Sequence, residues 1–88
     1  MIAARSLAEA FERCAARRPE AIAVHYGDQD ITYGELSRSS GILARRIETI
    51  LPPSQELVGL YAERGIELII GMLAILKAGR AYVPIDPA

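Results

Sequence analysis

Apolar residues recur along this chain with two different periods, and the switches between them mark out its elements. Leu7, Ala10, Phe11 and Cys14 fall at the i, i+3, i+4, i+7 spacing of one helical face. Ser6-Leu7-Ala8-Glu9 reads as a capping box at the start of that helix, with the Glu9 amide donating to the Ser6 hydroxyl and the Ser6 amide to the Glu9 carboxylate. Arg17 and Arg18 suit the negative end of its dipole, and Pro19 stops it. The period then shortens: Ile22, Val24 and Tyr26 alternate with Ala23 and His25, and after Gly27-Asp28-Gln29 a second extended run, Asp30 to Thr32, returns as a β-hairpin. His25 has no second histidine to form a ligand set and reads as a half-exposed strand residue.

Thr32-Tyr33-Gly34-Glu35 is a second capping box. The helix it opens carries its apolar stripe on Leu36, Leu43, Ile47 and Ile50, leaves Arg45, Arg46 and Glu48 to solvent, and ends at Pro52-Pro53. Leu57 to Ala62 is then a continuous apolar run of strand length, Gly65 to Ala78 a helix that is apolar nearly all round, and Ala81 to Ile85 a further apolar strand. Two strands apolar on both faces, joined through a helix, predict a βαβ unit with parallel, buried strands and a right-handed crossover. Gly79 supplies the positive φ of a helix C-terminus, Lys77 complements the dipole in the last turn, and Pro84 marks where its strand leaves the sheet. The expected fold class is therefore α/β: an N-terminal helix, a β-hairpin, a second helix and a βαβ unit.

Composition limits the partners. Ten basic and eleven acidic side chains leave a formal charge of −1, interleaved along the chain, so no nucleic-acid or acidic-membrane footprint is visible. No apolar run is long enough to span a membrane or to act as a signal peptide. The single cysteine, Cys14, lies on the apolar face of the first helix and is expected to be a small core residue, which suits a reducing cytoplasm. Counted with glycine and without tyrosine, the apolar share is about 55% against a usual ~45–50%. That excess implies surface meant for cover by further chain, above all on Ile66, Ile69, Ile70, Met72 and Leu73. Self-association of the free chain is the expected consequence.

Two stretches carry a family resemblance. Leu76-Lys77-Ala78-Gly79-Arg80-Ala81-Tyr82-Val83-Pro84-Ile85-Asp86 resembles the second core motif of the adenylation domains of nonribosomal peptide synthetases, in which Leu-Lys-Ala-Gly-x-Ala-Tyr leads into Pro and then Asp. Ile31-Thr32-Tyr33-Gly34-Glu35-Leu36 resembles the first, with Ile where Leu is usual. The resemblance runs from about Ser6 to Ala88 and implies that residues 1–88 are the N-terminal segment of such a domain, within its large N-terminal subdomain. Adenylation domains resemble acyl-CoA synthetases in fold, and the reaction implied for the complete form is attack of an amino-acid carboxylate on the α-phosphate of ATP, with magnesium, followed by transfer to a carrier-protein thiol.

No phosphate-binding loop, Walker run or metal-spaced cluster occurs in these residues, and Glu63, Glu67 and Asp86 are too scattered for a catalytic pair. No catalytic, cofactor-binding or metal-binding residue is therefore assigned, and the fragment alone is expected to be inactive. Thr32, Tyr33, Glu35 and Leu36 of the first motif, and Leu76, Lys77, Ala78, Gly79, Ala81, Tyr82, Pro84 and Asp86 of the second, are expected to be structural. Expected partners are the remainder of the domain, a carrier protein and, around Ala81 to Ala88, a small MbtH-like helper protein. Two other readings are a non-catalytic interaction module and a broken acyl-CoA ligase of another branch.

Overall fold

The computed structural model describes residues 4–60 and 65–85. In chain order the elements are α1 (Ala4–Arg17), β1 (Ile22–Tyr26), β2 (Gln29–Thr32), α2 (Tyr33–Ile50), β3 (Leu57–Leu60), α3 (Ile66–Lys77) and β4 (Ala81–Pro84). The fold class is the expected one: helices with an antiparallel hairpin and a separate parallel strand pair. The expected strand residues Tyr61 and Ala62, the loop at Glu63-Arg64, and Asp86 lie outside the described residues.

α3 is the central element. Ala74, Ile75 and Leu76 are buried against its neighbours, and α1, α2, β3 and β4 all pack on it. A β-carbon at Gly71 would meet Leu60 Cδ1 at 2.7 Å, so the absence of a side chain there lets α3 approach β3. The parallel pairing of β3 with β4 runs in register from Leu57↔Ala81 to Leu60↔Pro84. Pro84 is the last residue of β4, and beyond it the Ile85 amide still donates to the Leu60 carbonyl at 2.9 Å.

The strands are not buried on both faces. Val58, Leu60 and Tyr82 are partly covered, but Leu57 is 59% exposed and Val83 44%. Among the described elements α3 packs on both strands, and the apolar residues of the other face are left largely exposed. The outer residues of α3 expected to lack cover, Ile66, Ile69, Ile70, Met72 and Leu73, are half-buried. The uncovered apolar surface lies instead on Leu7, Ile22, Ile42, Ile50, Leu57 and Val83.

Three local expectations are corrected. α1 already includes Ala4, so Ser6 stands inside its first turn and is not an N-cap; Ala4 and Arg5 are strong helix formers that carry the helix upstream. Cys14 is exposed, because α1 buries Ala8 and Ala15, a face turned from the predicted one toward its smallest side chains. On α2 the buried residues are Leu36, Ser40 and Ala44, while Ile50 is 71% exposed and Leu43 lies at the surface. Small residues win in both helices because they allow close backbone approach. Ser40 can be buried because its hydroxyl donates to the Leu36 carbonyl at 2.7 Å.

The hairpin is antiparallel, with β2 beginning at Gln29 and a register shift between Ile22 and Val24. His25 is exposed and pairs with Asp30 across it. After α2, Leu51 is extended at φ −97° and ψ 141°, as the residue before Pro52 must be.

Candidate functional site

The residues of the two motifs come together on either side of the α2–α3 contact. Thr32 is the N-cap of α2: the Glu35 amide donates to its Oγ1 at 3.1 Å, and its own amide donates to the Glu35 carboxylate at 3.0 Å. These bonds hold the Glu35 carboxyl below the ordinary glutamate range, the Thr32 amide first, the Thr32 hydroxyl second, and the nearby Arg38 charge adding to them. Tyr33 sets its ring 5.9 Å from that of Phe11 on α1. Leu36 is 2% exposed. Thr32 and Glu35 thus start α2, while Tyr33 and Leu36 pack against its neighbours.

In the second motif Leu76 is buried and Ala78 is the C-cap of α3. Gly79 has φ +77°, its amide donates to the Leu76 carbonyl at 3.0 Å, and the Arg80 amide donates to the Ile75 carbonyl at 3.1 Å. That bond pair is a Schellman motif, and it requires the left-handed residue that glycine supplies without strain. Ala81, Tyr82 and Pro84 then pair with Leu57, Val58 and Leu60.

Lys77 does more than complement the dipole. Its ammonium donates to the Ser37 carbonyl at 2.9 Å, pairs with the Glu12 carboxylate and lies 5.4 Å from the centre of the Phe11 ring. The Ser37 hydroxyl donates to the same carboxylate at 2.9 and 3.1 Å. One lysine therefore links α1, α2 and α3.

Arg80, at the variable position of the motif, is not singled out by any pattern in the sequence. It is 8% exposed, and its Nη1 donates to the carbonyls of Pro52 at 3.1 Å and Gln55 at 2.9 Å. It clips the α2–β3 loop to the end of α3. Ser37, Glu12 and Phe11 carry no such signal either; only their proximity in space gives them a role.

Beside the motifs runs an open apolar groove of about 410 Å³. Leu7, Phe11 and Cys14 form one wall, Val24 of the hairpin and Ile69 and Met72 of α3 the others, with Tyr33, Leu36 and Leu76 also reaching it. It has almost no polar group with which to orient a ligand. Among the described residues no three His, Cys, Asp or Glu side chains stand close enough to hold a metal ion. Nor is any helix among these residues long and apolar enough to cross a membrane.

Comparison with known proteins agrees with this picture. The family model described as AMP-binding enzyme matches residues 11–88. A linear gramicidin synthase of Brevibacillus parabrevis is 49% identical over 80 residues, covering 91% of this chain and 2% of that protein. The dimodular nonribosomal peptide synthase of Bacillus subtilis (strain 168) is 44% identical over 81 residues, 92% of this chain and 3% of that protein. In structure, the N-terminal subdomain of NpsA from Klebsiella oxytoca superposes with a TM-score of 0.81 at 30% identity, over 90% of this chain and 21% of that one. An artificially fused adenylation–PCP di-domain, NpsA-ThdA from the same organism, gives a TM-score of 0.83 at 30% identity over 91% of this chain and 15% of that one.

The chain belongs to the AMP-binding enzyme family. Within it, the chain matches the N-terminal part of the adenylation domain of nonribosomal peptide synthetases.

Proposed function

We propose that this segment is the scaffold that opens the large subdomain of an amino-acid-activating adenylation domain, and that it takes no direct part in the chemistry. The complete domain would join an amino acid to AMP from ATP, release pyrophosphate and pass the aminoacyl group to a carrier-protein thiol. Nucleotide, magnesium and amino acid would all be held by the rest of the domain. The observation that carries this reading is the employment of the motif side chains. Thr32 and Glu35 cap α2, Lys77 joins three helices, and Gly79 turns the chain into β4.

The exposed faces of β3 and β4 and the apolar groove support the remainder of the domain as the first partner. A carrier protein is the second, and a cytoplasmic location follows from the same reading. Docking of an MbtH-like helper along Ala81 to Ala88 is a subsidiary proposal, which the exposure of Ala81, Val83 and Ile85 would permit. The test is amino-acid-dependent pyrophosphate exchange by the 88-residue chain. No exchange above background is expected with any proteinogenic amino acid, with or without magnesium; exchange that depends on an added amino acid would refute the proposal.

A further inference from the structure

α1 is attached to the rest of the fold in an unusual way. It buries only Ala8 and Ala15 outright, with Phe11 half-buried, Leu7 47% exposed and Cys14 exposed. Two fully buried methyl groups, with Leu7, Ala10 and Phe11 only part-covered, are little apolar surface for a helix of 14 residues. Its polar attachment, by contrast, is concentrated at one turn. Glu12 receives the Ser37 hydroxyl of α2 and the Lys77 ammonium of α3, and the same ammonium lies over Phe11 and donates to the Ser37 carbonyl. Among the described side chains no other hydrogen bond or ion pair ties α1 to another element.

We propose that α1 is a hinged strap, closed over α2 and α3 by a single polar latch at Lys77, and that it opens as a unit while α2, α3, β3 and β4 stay folded. The hinge is the short segment from Arg18 to Ala21 that follows the helix. Because Leu7, Phe11 and Cys14 form one wall of the apolar groove, opening the strap unmakes the groove and exposes Leu36 and Leu76 on its floor. The lysine of the second motif thereby governs access to an apolar surface next to the first.

The Lys77 side chain is 12% exposed and that of Glu12 45%, so salt reaches the pair and weakens it. The test is amide hydrogen exchange, read residue by residue on the dilute 88-residue chain and on Lys77→Met and Glu12→Gln. Glu12→Gln alters a half-exposed side chain and keeps its shape, so it leaves the core packing intact even if Lys77→Met does not. In both variants α1 amides are expected to exchange about 5- to 30-fold faster, the change produced by losing one or two ordinary interactions. Amides of α2 and α3 should change less than about twofold in Glu12→Gln, which leaves the bond from Lys77 to the Ser37 carbonyl in place, and less than those of α1 in Lys77→Met. Raising salt from about 0.05 to about 1 M should speed α1 exchange in the unaltered chain and not in Lys77→Met. Unchanged protection of α1, equal acceleration in every helix, or the same salt response in Lys77→Met would each overturn the proposal.

Discussion

Replacing Arg80 with methionine removes the clip between the α2–β3 loop and the end of α3 while keeping an unbranched apolar stem. Hydrogen bonds from a charged donor contribute about 1.5–3 kcal/mol each, and Arg80 makes two, to Pro52 and Gln55. Two effects reduce the sum. Pro52 and Gln55 are exposed, so water can take over their carbonyls, and the variant no longer has to desolvate a guanidinium that is 8% exposed. A net loss of about 2–3 kcal/mol remains. For 88 residues, total stability is on the order of 4–13 kcal/mol, so roughly a sixth to three quarters of it rests on this residue. At about 4–8 °C per kcal/mol for a chain of this size, the melting temperature should fall by about 10–20 °C.

The loop that Arg80 holds also leads into the sheet, since the Ala81 amide donates to the Glu56 carbonyl at 2.9 Å. Limited proteolysis between Leu51 and Glu56 should therefore accelerate together with the thermal change seen by circular dichroism. Arg80→Lys should recover less than half of the loss, because its ammonium sits on a shorter stem and falls short of the position from which Nη1 serves both carbonyls. If Arg80→Met melted within about 2 °C of the parent chain with its loop equally protected, the reasoning would be wrong.

Thr32→Ala should cost about 0.5–2 kcal/mol by loss of the α2 cap, measured by urea unfolding. Glu35 has a folded-state pKa below its ordinary value, so its contribution is present above that value and is lost as pH falls through the lowered one. Glu35→Gln should accordingly flatten the acid limb of a stability–pH profile while leaving the cap geometry near neutral pH, and an unchanged acid limb would contradict the assignment. The free chain should self-associate through Leu7, Ile22, Ile42, Ile50, Leu57 and Val83. Light scattering that reported a concentration-independent monomer with sharp two-state unfolding would exclude that.

How much of this could be read from sequence depends on how local each cause is. The α2 cap and the α3 stop were legible because Thr32 with Glu35, and Ala78-Gly79, act within a few residues of themselves. The parallel pair was legible from two apolar runs flanking an apolar helix, although their predicted burial was not observed. That error is informative: periodicity reports where residues are apolar and not what covers them, and Leu57, Val83 and Leu7 are apolar yet exposed. Cys14 and Ile50 were misplaced for a related reason, since close packing selects Ala8, Ala15 and Ala44 over their larger neighbours. The latch was invisible because Lys77 already had a sufficient local explanation in the helix dipole, while Ser37 is 40 positions away. Arg80 occupies a position where the motif accepts any residue, so no pattern pointed to it.

The central claim is that the motif side chains hold the fold and leave the chemistry to other residues. Its most direct test is Lys77→Met in an adenylation domain that carries this segment, with stability and amino-acid-dependent pyrophosphate exchange measured on the same preparation. A lower melting temperature is expected, with exchange per folded molecule within about twofold of the parent, because a residue acting only through folding changes the amount of active enzyme and not its turnover. A fall of about a hundredfold in turnover at unchanged stability, equivalent to about 2.7 kcal/mol of lost transition-state binding, would place Lys77 in the chemistry and contradict it.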